Sequence, residues 1–374
     1  MDNNNQVLIG SKGLIKKEDF VALMIQSLHS LGYTATASDL ESVSGIRSDL
    51  HSRAIGGPGG KLTLCGHKDE VWYVKFSNKG QYLASGSKDY TAIIWEVPEN
   101  GNLTLRHTLS GHQSGVSFLS WSPDDATLLT CANAEKIMLW NVSTGEHFHT
   151  INGLGPAFSS CAWLPDDKGI FFGSYGYVNH VCRIRYPNSR ILTSWSGGWN
   201  PSNSIINFAV TPNGKEIVFM FSDKQVAVMN IEAGHWRSFT MDAAIVSTCV
   251  SEDGKYLILN LNSAEIQLWD IEKMVATRLK YRGHRQSRYV IHSCIGGLES
   301  KFIASGSEDS RVYIWNQKNG EPLEVLCGHS AIVNSVSWNP KRPQMLASAS
   351  DDKTIRIWGP GNSQKQAQVS KIIT

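Results

Sequence analysis

A histidine, a serine, an aspartate and a tryptophan recur in this sequence at fixed offsets: His67, Ser85, Asp89 and Trp95, then His284, Ser305, Asp309 and Trp315, then His329, Ser348, Asp352 and Trp358. In each set the serine lies ten and the aspartate six residues before the tryptophan. Serine, histidine and aspartate are the parts of a nucleophilic triad, in which the imidazole takes the hydroxyl proton and the carboxylate orients the imidazole. Repetition argues against that chemistry, because an enzyme has no use for three copies of one centre. The sequence also carries no glycine-rich phosphate loop, no paired metal motif and no unique activated nucleophile. His147 and His149, in the string HFH, lie near a turn and read as solvated side chains. We therefore expect no catalytic residue, no cofactor and no metal ion.

The elements that carry these residues are short and repeated. Gly-His pairs stand at 66–67, 111–112, 283–284 and 328–329, separated by 45, 172 and 45 residues, and 172 is four times 43. Trp95, Trp140, Trp269, Trp315 and Trp358 are spaced by 45, 129, 46 and 43, and 129 is three times 43. Both series imply seven units, with Tyr186 and Met229 standing where two tryptophans are missing. Within a unit, alternating runs such as Val71 to Phe76, Tyr82 to Ser85 and Thr91 to Trp95 have the period of half-buried strands. Turn residues separate them, as in Asn78-Lys79-Gly80, Pro212-Asn213-Gly214 and Glu252-Asp253-Gly254. Repeats of this length, with Gly-His near the start and Trp-Asp or a relative at the end, resemble the WD-repeat family. That resemblance implies an all-β fold, a seven-bladed WD40-type β-propeller over 61–359.

The resemblance also implies a use for the recurring residues. In WD repeats such a tetrad is hydrogen-bonded in series within the blade, which satisfies polar atoms that are costly to bury. The second unit has Thr130 and Trp140 but Ala134 in the aspartate position, and the three middle units lack Gly-His. In the last unit the strands run out at Trp358, while residues 61–64 (KLTL) supply a strand with no partner in the first unit. Pairing the two would close the wheel and remove two free edges.

Ahead of the wheel the pattern changes. Phe20, Val21, Met24, Ile25, Leu28 and Leu31 recur at three- and four-residue steps, the mark of an amphipathic helix, and Gly32 ends it. With Tyr33 and Leu40, residues 13–50 are similar to the LisH motif, a small α-helical hairpin that dimerises. A helix pair so small cannot bury its own apolar face, so Phe20, Met24, Ile25, Leu28, Leu31, Tyr33 and Leu40 are the expected homodimer contacts. Residues 1–12 and 360–374 read as disordered tails, and 51–60 (HSRAIGGPGG) as a glycine-rich linker.

Composition narrows the partners. Of 374 residues, 35 are basic and 33 acidic, which leaves no field to draw nucleic acid or an anionic membrane. No apolar run is long enough to cross a bilayer, and no secretory signal is evident. Seven cysteines, an odd number without CxxC spacing, suit a reducing compartment, cytoplasmic or nuclear.

The order of LisH then wheel, with the strings SWSPDD (120–125), FSDK (221–224), GHRQSRYVI (283–291), SGSEDSRVYIWN (305–316) and ASASDDKTIRIWGPG (347–361), resembles the WD-repeat subunits of GID/CTLH-type ubiquitin ligases in a plant-like form. The resemblance implies a non-catalytic scaffold that joins other ubiquitin-ligase subunits and presents substrates. The helical CTLH segment that family members carry between LisH and propeller is replaced here by the ten-residue linker. LisH with WD repeats also describes scaffolds of transcriptional co-repression and signalling, a second reading that fold alone does not separate. Propellers that dock a cullin adaptor end in Trp-Asp-x-Arg, whereas Trp269-Asp270 is followed by Ile271 and Glu272. By position, the partner-binding face that WD-repeat proteins use would hold Trp72, Lys88, Ser117, Arg288, Tyr289, Glu308, Asn334 and Asp351, with Trp72, Arg288 and Tyr289 as anchors.

Overall fold

In the computed structural model, the described residues are 61–359, apart from residue 100 and the segments 133–135, 152–156, 166–168, 176–180, 186–189 and 196–204, together with 7–10 and 13–16. Apolar runs between turn residues form the strands. Val71–Phe76 lies beside Tyr82–Ser87, which lies beside Thr91–Glu96 and then Thr104–Ser110, every pair antiparallel. The turn between the first two strands ends on Gly80 at φ +68°, a left-handed conformation that glycine adopts without strain, and Gly214 and Gly254 hold it in the equivalent turns.

Among the described residues, the strands of the ring order into seven such four-stranded sheets. Their innermost strands are Val71–Phe76, Val116–Trp121, Ala157–Trp163, Ile205–Val210, Ile245–Val250, Ser293–Gly296 and Val333–Trp338. Each innermost strand touches the next, and Val333–Trp338 returns to Val71–Phe76, so the sheets form a β-propeller. Below, sheets are numbered from the one that begins at Val71. The only helix among the described residues is the single 3-10 turn Leu298–Ser300, and no helix there is long and apolar enough to cross a membrane.

The core lies between sheets. One cluster joins Val71, Val74, Leu83 and Ile93 of the first sheet to Ala347, Ala349 and Ile355 of the last, and another joins Ala84 and Ile94 of the first to Val116, Leu128 and Trp140 of the second. Middle strands are therefore covered on both faces: Thr127–Ala132 is buried at every position. Outer strands are covered on one face at most, and in Thr104–Ser110 only Leu109 is buried.

The ring closes as the strand count requires. Lys61–Cys65 lies at the outer edge of the last sheet, beside Thr354–Trp358, and Leu64 is buried among the residues of the seam cluster. Residues about 290 apart in sequence thus complete one sheet. Near the N-terminus Val7–Gly10 pairs with Gly13–Lys16, Gly10 opposite Gly13. This corrects the expectation of a wholly disordered tail over 1–12: two short runs, VLIG and GLIK, separated in sequence by two polar residues, pair as strands. Phe20, Met24, Ile25, Leu28, Leu31, Tyr33 and Leu40, the linker 51–60, Ala134, Tyr186 and the segment 360–374 lie outside the described residues.

Replacing Leu64 by alanine removes apolar contact from the seam and leaves a cavity, so it should lower stability by about 2–5 kcal/mol. Urea unfolding of L64A against the parent measures this, and a change under about 0.5 kcal/mol, the scale of surface substitutions, would show that the closing strand contributes nothing.

Candidate protein-binding face

Two of the recurring sets assemble as one relay. In the first sheet His67 Nδ1 lies 3.0 Å from Asp89 Oδ2 and Nε2 lies 2.8 Å from Ser85 Oγ, which also accepts the Trp95 indole N–H at 3.0 Å. In the last sheet the distances are 2.8 Å for His329 to Asp352, 2.7 Å for His329 to Ser348 and 2.8 Å for Trp358 to Ser348. The chemistry fixes the proton positions. A carboxylate can only accept, so Nδ1 carries the hydrogen; a serine oxygen already accepting from tryptophan turns its own O–H toward Nε2. Thr91 and Thr354 donate to the second oxygen of each aspartate, both at 2.6 Å. Burial opposes ionisation of Asp352, but hydrogen bonds from His329, Thr354 and the Ser330 amide outweigh it and hold the carboxyl well below its usual range. Asp89 is held down in the same way by His67, Thr91 and the Lys68 amide. Ser85 and Ser348 are fully buried, so their hydroxyls cannot meet a substrate. In the second sheet His112 and Trp140 meet on Thr130 Oγ1, at 2.7 and 2.8 Å.

The third complete set in the sequence does not assemble. His284 Nε2 lies 3.3 Å from Asn260 Oδ1 of the neighbouring sheet, Trp315 donates to the Arg282 carbonyl at 3.0 Å, and Ser305 donates to the Gly306 carbonyl at 2.9 Å. Asp309 accepts instead from the Tyr313 hydroxyl at 2.7 Å. The cause is local. The position of Thr91 and Thr354 is Arg311 in this sheet, and Tyr313, stacked on Trp315, reaches the aspartate from two residues further on. Burial pushes the His284 imidazole down to about 4, so it is neutral near pH 7, and its Nδ1 has no hydrogen-bond partner among the described residues.

The eight residues assigned to a partner face fall on one end of the wheel. Three equivalent bonds tie the segment leading into an inner strand to the turn between the second and third strands of the same sheet: Lys88 N–H to the Glu70 carbonyl, Glu308 N–H to that of Arg285, and Asp351 N–H to that of Ile332, all at 3.0 Å. At the seam of the first and last sheets, Glu70 accepts from the Trp72 indole at 2.9 Å and from Lys88 Nζ at 2.8 Å. The Lys88 hydrogen bond in particular lowers the Glu70 pKa. Asn334 donates to Asp351 at 2.6 Å and to the Val71 carbonyl at 3.0 Å; it is buried and acts as a brace, not a contact. Ser117 stands apart on the second sheet, half-buried, its hydroxyl 3.5 Å from the Cys131 carbonyl. Arg288 and Tyr289 are exposed, whereas Glu308 is spent on the loop that carries them. Glu70, whose carboxylate orders Trp72 and Lys88, was not singled out by spacing; its acidic charge two residues before a tryptophan was the only signal.

Inside the ring, a cavity of about 550 Å³ is lined by all seven innermost strands, with Tyr73, Lys75 and Cys294 on its wall. Desolvation there lowers the Lys75 pKa and raises that of Cys294.

A wheel of repeated four-stranded sheets with buried histidine relays defines a WD-repeat scaffold. The WD domain, G-beta repeat family matches residues 60–96, 103–141, 276–316 and 320–359, and the WDR26 Lis-homology domain matches residues 6–49. The chain belongs to the WD-repeat proteins that carry a WDR26-type Lis-homology domain. It is 52% identical over 304 residues to a WD repeat-containing protein WDS homolog of Arabidopsis thaliana, covering 81% of this chain and 58% of that one. It is 42% identical over 309 residues to a WD repeat-containing protein 26 homolog of the same plant, covering 82% and 51%. With GID complex subunit 7 of Schizosaccharomyces pombe it shares 36% over 302 residues, covering 78% and 57%. The chain thus spans about half the length of these curated relatives.

The two kinds of sheet should respond differently to loss of one hydroxyl. Ser348→Ala leaves the Trp358 N–H and His329 Nε2 unpaired in the core and should cost about 2–4 kcal/mol, while Ser305→Ala, which removes an acceptor only from the Ser293 hydroxyl, should cost about 1 kcal/mol. Equal losses in denaturant unfolding would mean that the sixth sheet holds the full relay. The pH dependence has a defined sign. The Asp352 pKa is depressed on folding, so its stabilisation exists above the unfolded value and is lost as pH falls through the folded one. Asp352→Asn should therefore unfold at a lower temperature than the parent at pH 7, with the gap narrowing on acidification.

Proposed function

We propose that this chain is a non-catalytic scaffold of a GID/CTLH-type ubiquitin ligase: a seven-bladed wheel that binds proteins on the face holding Trp72, Lys88, Arg288 and Tyr289, dimerised through residues 13–50. The observation that carries this reading is the conjunction of a WDR26-type Lis-homology domain with a wheel on which the Glu70 and Glu308 carboxylates order Trp72, Lys88, Arg288 and Tyr289. A relative named GID complex subunit 7 supports the assignment to that ligase. In this reading the wheel gathers substrates and the dimer joins two such wheels, with the transfer chemistry supplied by other subunits. The compartment is the cytoplasm, with entry to the nucleus.

Affinity purification of the full chain from its own cells, compared with a chain lacking residues 13–50, tests this. A RING-bearing ligase subunit should co-purify with the full chain, and in sedimentation at micromolar concentration the full chain should run at twice its own mass. Deleting 13–50 should abolish the dimer. Absence of any RING-bearing subunit would defeat the ligase assignment, and a monomeric full chain would defeat dimerisation.

A further inference from the structure

The loop from Arg285 to Ile291 departs from its counterparts in the first and last sheets. In the first sheet Val71 follows His67 by four residues and in the last Val333 follows His329 by four, but in the sixth Ile291 follows His284 by seven. All three aliphatic residues are fully buried, so the three additional residues bulge outward as loop. This loop is braced on two sides. From below, buried Asn260 donates to the Ile291 carbonyl at 3.2 Å, and buried Gln286 donates to the Tyr289 carbonyl. From the side, the Glu308 carboxylate accepts four hydrogen bonds: the amides of Ser287 at 2.8 Å, Arg288 at 2.7 Å and Tyr289 at 3.2 Å, and the Ser287 hydroxyl at 2.7 Å. His284, diverted from the relay expected of it, bears on the same Asn260.

The brace fixes what the loop presents. Tyr289 and Val290 are 49% and 60% exposed, two adjacent apolar side chains held toward solvent, and the guanidinium groups of Arg285 and Arg288 are exposed with no carboxylate partner among the described residues. Nearby Arg282 is already paired with Glu265, so it adds no free charge. Among the described residues, the one carboxylate hydrogen-bonded to the loop, that of Glu308, is consumed by its backbone and the Ser287 hydroxyl. Arginine and tyrosine on a backbone already ordered bind with little entropic loss, and two unpaired cations beside an apolar pair favour carboxylates flanking an apolar residue.

We infer that the Arg285–Val290 loop is a preformed docking site for an acidic peptide segment of a partner protein, its carboxylates meeting Arg285 and Arg288 and its apolar residue covering Tyr289 and Val290. This deepens the scaffold reading of the wheel and rests on it. A random peptide library panned on the full chain tests it, followed by binding measurements with the selected peptides, the parent and defined variants. Selected peptides should carry aspartate or glutamate on both sides of an aromatic or aliphatic residue. Their affinity should fall about tenfold or more for the double variant Arg285→Ala/Arg288→Ala and for Tyr289→Ala, and should decline as salt is raised. Glu308→Gln, which weakens the brace while leaving every contact residue in place, should also reduce affinity. Leu105→Ser, on the outer strand of the first sheet, should not. Selection of neutral or basic peptides, or of acidic peptides indifferent to the two arginines, overturns the loop proposal and leaves the scaffold reading standing. Failure to select any peptide on any face overturns both.

Discussion

Every other feature of the wheel depends on one pairing, that of Lys61–Cys65 with Thr354–Trp358. Without it the last sheet would keep only three strands, and the seam between the first and last sheets would lose Leu64 from its core. The sequence distance it spans is no obstacle in equilibrium terms, since each doubling of a loop costs only about 0.6 kcal/mol. Closure also holds the two sides of the seam at one distance, which lets Asn334 reach the Val71 carbonyl and sets Asp351 close to the Glu70–Lys88 pair. A binding face made of residues from different sheets needs that rigidity more than it needs any single contact.

Within each sheet, the problem is how to bury polar atoms between layers of strands. The first and last sheets solve it with a relay in which every donor has an acceptor, from tryptophan through serine and histidine to aspartate. The sixth sheet solves it differently. There the tryptophan takes a carbonyl, the aspartate takes a tyrosine, and the histidine turns toward the neighbouring sheet. The relay is exchanged for support of a longer surface loop, so the departure from the repeat and the exposed Arg285–Ile291 loop have one origin.

Much of this was legible in the residues. Gly-His and tryptophan spacing located the repeats because both sit at structurally fixed places, one before the inner strand and one inside the third strand. The closing strand was legible for a related reason: KLTL had no partner in its own unit. The relay of the sixth sheet was misread, since serine and aspartate offsets from tryptophan are kept there while the competing Tyr313 hydroxyl and the Arg311 substitution lie at positions the motif ignores. Asn334 and Glu308 were read as partner contacts, yet their polar atoms are taken up by neighbouring backbone and side chains, because spacing gives position and says nothing of which polar groups a backbone will claim. The pairing of Val7–Gly10 with Gly13–Lys16 was passed over because two such short apolar runs do not stand out from a tail.

The central claim is that one end of the wheel, built at the seam of the first and last sheets and on the loop of the sixth, is where partners bind. Hydrogen exchange on the full chain, alone and with a co-purified protein partner, tests it directly. The account predicts that binding slows exchange in the segments around Glu70–Trp72 and Arg285–Ile291 and leaves the outer strands unchanged. Protection confined to outer strands such as Thr104–Ser110 or Val275–Tyr281, with none on that end, would contradict it.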